Sequence, residues 1–217
     1  MDKDKIIKKI SGEVKSRLDG EASGHDWWHV YRVWKNAKII AKNEKADLFI
    51  VEIASLLHDI ADWKFHQGDE SVGPREAEKI LSKYDIPENI INQVCEIIVS
   101  ISFKGANVKS ETKTIEGKIV QDADRLDAIG AIGIARAMAY GGYKNRPIYD
   151  PNKKPTLHKT KKAYMKNNGS SINHFYEKLL LLKNLMNTKT AKKLAKERHS
   201  FMEKYLDKFF EEWEGKS

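Results

Sequence analysis

Apolar residues recur at helical spacing along nearly the whole chain and alternate at strand spacing almost nowhere, which predicts an all-α fold. Residues 4–18 place Ile6, Ile7, Ile10, Val14 and Leu18 on one face, closed by Asp19 and Gly20. A second helix over 27–42 lines up Val30, Val33, Trp34, Ala37, Ile40 and Ala41, and a third over 47–61 carries Ile50, Ile53, Ala54, Leu57 and Ala61. First-turn prolines open helices over 74–84 and 87–101, and a polar break follows over 102–116. Residues 119–140 then read as one helix of small residues. Glycine inside a helix costs about 1 kcal/mol relative to alanine, so Gly130 and Gly133 imply close approach by a neighbouring element. Ser170 and Ser171 cap a helix that runs to Met186, and 190–213 forms a long final one. No repeat and no second composition regime interrupts the chain. The reading is a single domain over 1–217, with a core at 24–140, a basic loop or lid at 141–170 and C-terminal helices at 171–213.

Composition narrows the function classes. The 217 residues are 41% hydrophobic and 32% charged, the balance of a globular domain, and no apolar run reaches the roughly 18 residues of a membrane helix. The amino terminus has no apolar segment followed by a small-residue cleavage site, so a cytoplasmic protein without a membrane partner is expected. Cys95 stands alone within an apolar stripe and reads as a small buried thiol. Residues 144–166 hold eight basic residues against one acidic residue, Asp150, and so carry nearly all of the formal charge of +8. Pro147, Pro151 and Pro155 make that stretch a loop, either a lid over an anionic substrate or a solvated segment.

Three short stretches carry residues with metal-binding chemistry. His58 and Asp59 stand side by side at the end of an apolar helix, with Asp62 one turn later. His25 and His29 are four apart, with Arg32 three beyond His29, and Asp122, Asp124, Arg125 and Asp127 cluster ahead of the small-residue stretch. Taken singly, Asp26 can be a helix cap, and Asp122 or Asp124 a first-turn carboxylate that complements the helix dipole. Taken together, packing of these helices would converge two histidines and two carboxylates, a mixed nitrogen and oxygen set suited to a divalent transition metal.

The order His29, then His58-Asp59, then Asp124 resembles the HD-domain superfamily of metal-dependent phosphohydrolases. The longer segments HDWWHVYRVW, ASLLHDIADWKF, QDADRLDAIGAIGIARA and SINHFYEKLLLLKNLMNTKTAKKLAKERHSFM are similar to its stand-alone bacterial members of the YedJ/YpgQ type, over about 24–210. The resemblance implies an HD-domain helical bundle with a C-terminal helical extension. It also implies one divalent metal, Mn2+ foremost with Mg2+, Ni2+, Co2+ or Fe2+ as alternatives, held by His29, His58, Asp59 and Asp124. Asp62 matches the first acid of the Glu-Asp pair of (p)ppGpp-hydrolysing relatives, but Trp63 replaces the second, which argues against alarmone hydrolysis. The further downstream histidines of the binuclear cyclic-dinucleotide enzymes are also missing.

On this reading Asp62 accepts or orients a water proton, and His25 supports it or carries the proton instead. Arg32, Lys64 and Arg125, beside the ligands in sequence, neutralise phosphate charge. His174 and Lys178, placed by the resemblance, reach the phosphate tail. The expected activity is hydrolysis of (deoxy)nucleoside triphosphates to monophosphate and pyrophosphate, with a 5'-nucleotidase-type phosphomonoesterase as the alternative. A nucleic-acid-binding module with a vestigial HD site is the alternative outside enzymes, and a homodimer through Leu179, Leu182, Leu185, Phe209, Phe210 and Trp213 stays open.

Overall fold

The structure is a computed structural model that describes residues 1–20, 26–61, 69, 71–101, 112–157 and 169–216. Among these residues all regular structure is helical, as the periodicity predicts. The elements are α1 (Lys3–Arg17), α2 (Trp27–Ala41), α3 (Leu48–Leu57), α4 (Val72–Leu81), α5 (Glu88–Ile101), α6 (Ile115–Asp127), α7 (Gly130–Tyr143), α8 (Ser171–Glu177), a 3-10 helix (Leu179–Leu185) and α9 (Lys189–Trp213). They fall into two compact units, the first drawn from Met1–Phe103 and Lys109–Asp124 and the second from Arg125–Ser217. No helix among the described residues is long and apolar enough to cross a membrane.

The first unit is organised around α3. Its sequence LFIVEIASLL has almost no polar face, and every residue from Phe49 to Leu57 is buried, as an all-round apolar helix requires. Helices α1, α2 and α5 pack on it. Asp47 starts the helix by accepting from the amides of Phe49 and Ile50, and Glu116 of α6 accepts from the Asp47 amide at 3.0 Å, which ties α6 to the same corner. Glu52 is the one charged residue inside α3, and it is buried. Its carboxylate accepts from the Trp34 indole at 3.1 Å and from the Lys38 ammonium at 2.9 Å, both on α2. A buried donor that loses its acceptor costs about 1–3 kcal/mol, so Glu52→Ala should destabilise the protein by about 2 kcal/mol in urea unfolding. Glu52→Gln, which keeps an acceptor for the indole, should recover part of that loss.

The second unit packs α9 against α7 and against the 3-10 helix. Thr188 caps α9, and Ala191, Ala195, His199, Met202 and Leu206 form its buried stripe. Leu179 and Leu182 lie in the core, while Leu185 and Trp213 are exposed. The Tyr149 ring meets Phe210 and Trp213 edge-on, with centroids 5.3 and 5.0 Å away.

Several boundaries differ from the sequence reading, each for a local reason. The helix predicted over 119–140 is two helices. Ile129 is extended (φ −128, ψ 165) and Gly130 adopts φ +76, a left-handed conformation that glycine takes without the steric cost of a Cβ. The close neighbour expected at Gly130 is the stem of Arg198, 3.0 Å from where a Cβ would stand. At Gly133 the neighbour is the turn itself, because a Cβ there would overlap the Ala128 carbonyl. The helix predicted over 170–186 breaks at Lys178 (φ −143, ψ −58) into α8 and the 3-10 turn, and α7 reaches Tyr143, so the loop starts later than residue 141. Cys95 is half-buried rather than enclosed. Its thiol donates to the Pro74 carbonyl at 3.5 Å, and burial followed by the charge of Glu78 pushes its pKa up, which keeps it protonated and unreactive at neutral pH.

Candidate metal centre

One helix start and two helix ends bring the predicted ligands towards one another in the first unit. Asp26 caps α2 by accepting from the His29 amide at 2.8 Å, which fixes His29 in the first turn, where its ring is 1% exposed. On the other side, α3 stops at Leu57 rather than continuing to Ala61, and His58 and Asp59 stand in the turn that follows. The His58 ring takes part in that stop. Its Nδ1 lies 2.7 Å from the Ser55 carbonyl, the acceptor that the Asp59 amide would use in a continuing helix. A carbonyl can only accept, so Nδ1 carries the proton and Nε2 presents a lone pair.

That lone pair faces a cluster. His58 Nε2 lies 3.3 Å from His29 Nε2 and 3.6 Å from Asp59 Oδ2. His29 Nε2 lies 3.2 Å from Asp59 Oδ2 and 3.5 Å from Asp124 Oδ1, which α6 contributes. Ligand atoms about 2.1 Å from one cation lie about 3.0–3.4 Å apart at right-angle or tetrahedral geometry; the 3.2 and 3.3 Å separations fall in that range, and those of 3.5 and 3.6 Å lie just above it. His29, His58 and Asp59 are mutually close enough to hold a metal, and Asp124 joins through His29. The histidine side chains are 1% and 3% exposed, the Asp59 and Asp124 side chains 17% and 36%, so the cluster is closed on the imidazole side and open on the carboxylate side. The neighbouring aspartates serve elsewhere: Asp122 is fully buried, and Asp127 accepts from Arg136 at 2.8 Å.

The other predicted site residues are placed as follows. Arg32 is half-buried on α2, one turn beyond His29. Arg125 donates from Nη1 to the Leu185 carbonyl within the second unit. His174 lies on α8 and Lys178 caps it, also in the second unit. Asp62, His25 and Lys64 lie outside the described residues, as do Trp63 and residues 158–168 of the basic loop. Among the aromatic residues near the ligands in sequence, Trp27 is core, Trp34 is anchored on Glu52 and Trp28 is 58% exposed. Sequence reasoning passed over Glu52 and the Ser55 carbonyl. The first had a legible signal, a lone acid within an apolar helix, whereas a backbone acceptor leaves none.

His174 has a measurable consequence for stability. Burial first, then the charges of Lys178 and Arg146, push its pKa from 6.5 down to about 3. The folded chain therefore keeps His174 neutral where the unfolded chain takes up a proton. Stability falls as pH drops below 6.5, and the loss is complete near pH 3. Urea unfolding at pH 7.5 and pH 5 should show a steeper acid loss in the wild type than in His174→Gln, and equal slopes would contradict this.

The pattern of the HD domain family matches residues 27–129, which include all four clustered side chains. The chain is 41% identical over 203 residues to YpgQ of Bacillus subtilis (strain 168), covering 93% of this chain and 91% of that protein. Among solved structures it is similar to an HD-superfamily hydrolase from Bacillus thuringiensis, with a TM-score of 0.76, 43% identity and 98% of each chain covered. It is also similar to B. subtilis YpgQ in complex with ADP, with a TM-score of 0.78, 38% identity, and 98% of this chain and 97% of that chain covered.

Proposed function

The chain belongs to the HD domain family and is, at the level of that family, a metal-dependent phosphohydrolase; from this premise we propose that it hydrolyses (deoxy)nucleoside triphosphates to monophosphate and pyrophosphate. The observation that carries the reading is the mutual approach of His29 Nε2, His58 Nε2 and Asp59 Oδ2, with Asp124 Oδ1 3.5 Å from His29 Nε2 as the fourth expected ligand. His29, His58, Asp59 and Asp124 would hold a divalent cation there, Mn2+ foremost, which would supply Lewis acidity towards water and a phosphoryl oxygen.

The protein's own residues do the rest. Ser55 fixes the His58 tautomer, and the buried imidazoles exclude water from one side while the carboxylates leave the other side open to substrate. Asp62 accepts or orients the proton of the attacking water, with His25 as its support, and Arg32, Lys64 and Arg125 offset phosphate charge. The ADP complex of B. subtilis YpgQ supports a ligand with a phosphoanhydride tail, and the basic stretch 144–166 favours a polyphosphate over a monophosphate.

Product analysis by 31P NMR with Mn2+ and deoxynucleoside triphosphates tests the reading. Equal amounts of nucleoside monophosphate and pyrophosphate are expected. Orthophosphate would move the cut to the terminal group and favour a phosphomonoesterase. A metal-loaded protein that hydrolyses no nucleotide and binds single-stranded nucleic acid would overturn the enzymatic reading altogether.

A further inference from the structure

Helix α2 carries three tryptophans, and two of them have a structural place. Trp27 is buried, and the Trp34 indole donates to the buried Glu52 carboxylate at 3.1 Å. Trp28 is 58% exposed, and among the described residues of the first unit it is the one exposed aromatic side chain. Tryptophan is highly buried on average, because an indole left in water forfeits the stabilisation its broad apolar face can supply. An open one therefore needs a reason other than packing.

Its position is set by its neighbours. Asp26 caps the helix on the His29 amide, so Trp28 and His29 both stand in the first turn, with Cα atoms about 3.8 Å apart. One residue along a helix rotates the side chain by about 100°: His29 turns inward to His58 and Asp59, and Trp28 turns out to the rim beside them. The indole meets the Tyr31 ring edge-on, with centroids 5.9 Å apart and planes at 79°. Tyr31 is itself braced by Trp27 at 6.0 Å, by Trp34 at 6.3 Å and by the Lys35 ammonium 5.2 Å from its centroid. An edge-on contact occupies at most one face of the indole and leaves the other open. Residues 27–42 hold Arg32, Lys35, Lys38 and Lys42 and no acid, and exposed Lys35 lies two turns along from Trp28 on the same face, so the surface around the indole is positive.

We propose that Trp28 is the stacking platform for the nucleobase of a nucleotide whose phosphates reach the metal centre, and so the residue that separates nucleotides from inorganic polyphosphate. The assignment rests on the nucleotide activity proposed above. An apolar protein segment docking here would have to desolvate the cations of α2, whereas an anionic nucleotide is drawn to them. Every base has a π-face, so stacking adds affinity without reading base edges, and a two-ring purine overlaps an indole more fully than a one-ring pyrimidine. The platform therefore accepts all bases and holds purines more tightly.

The test is calorimetric titration of Mn2+-loaded protein with α,β-methylene deoxyadenosine triphosphate, whose α–β bridge water does not cut, and with inorganic tripolyphosphate as its base-free counterpart. Trp28→Ala should weaken nucleotide binding about tenfold or more and tripolyphosphate binding less than about twofold, as expected for one lost base stack. Trp28→Phe, which keeps a ring, should bind the nucleotide better than Trp28→Leu, which keeps apolar bulk alone. Ile39→Ala, exposed on the same face farther along α2, should bind like wild type. No nucleotide binding by wild type, or unchanged nucleotide affinity in Trp28→Ala, overturns the platform. Equal weakening for both ligands also overturns it, since the variant would then act through the metal centre. Should Trp28→Ala fail to fold, Trp28→Leu and Trp28→Phe carry the same decision. Trp28-dependent nucleotide binding without hydrolysis of deoxyadenosine triphosphate would overturn the proposed function and leave the platform standing. Hydrolysis with undiminished nucleotide affinity in Trp28→Ala would do the reverse.

Discussion

Asp59→Ala is expected to lower turnover about a thousandfold, equivalent to about 4 kcal/mol of transition-state stabilisation, and to remove bound metal in the same samples. Asp59 is the residue on which the cluster closes, because one oxygen, Oδ2, is 3.2 Å from His29 Nε2 and 3.6 Å from His58 Nε2. Its loss leaves two buried imidazoles and the more exposed Asp124, so a divalent ion would have one anionic ligand in place of two. The fold should survive, since Asp59 stands in a turn after α3 and its side chain is 17% exposed. Metal content by elemental analysis, circular dichroism and turnover on one preparation separate these effects. A variant that keeps both metal and turnover would remove Asp59 from the site. A variant that loses turnover but keeps one equivalent of metal would leave Asp59 a role other than ligation.

The largest expected effect on stability is at Gly133. An alanine there would overlap the Ala128 carbonyl, and the obstacle is backbone in the turn between α6 and α7 rather than the end of a flexible side chain. Strain of that kind falls among the few mechanisms behind large single-residue effects, and a loss of about 3 kcal/mol is expected, or about 6–12 °C in melting temperature for a chain of this size. Gly142 provides the contrast on the same helix, where an added methyl group would meet nothing within 4 Å. Gly142→Ala should leave stability unchanged or raise it by up to about 1 kcal/mol, the ordinary helix preference for alanine. Similar melting temperatures for the two variants would contradict the reading of the turn.

The same turn shows where local pattern stops informing. Apolar spacing located α1, α2, α5 and α9 to within a residue or two, because each has one buried stripe that the core selects. Alanine and glycine over 128–137 carry no such stripe, and alanine favours helix wherever it stands, so the break at Ile129 and Gly130 left no mark in the periodicity. The break at Lys178 escaped for a related reason, since Leu179 and Leu182 suit a 3-10 turn as well as an α-helix.

The candidate metal centre was legible as a conjunction of His29 and His58-Asp59, with a later aspartate as the fourth expected ligand. Spacing could not choose among Asp122, Asp124 and Asp127, and the choice of Asp124 came from the family resemblance. The structure separates the three physically: Asp122 is enclosed, Asp127 answers Arg136, and Asp124 stands beside His29. Glu52 was visible only as a charge, because what it does depends on Trp34 and Lys38 in another helix, and no local pattern encodes such pairings.

The most direct test of the central claim, that a single divalent ion at these four residues drives phosphohydrolysis, is titration of metal-free protein with Mn2+ while pyrophosphate release from a deoxynucleoside triphosphate is followed. Activity should be absent in chelator, rise in proportion to added metal and level off at one equivalent per chain, with His58→Ala and Asp124→Ala flat or requiring a large excess. Full activity in chelator, or a wild-type response in both variants, would contradict it.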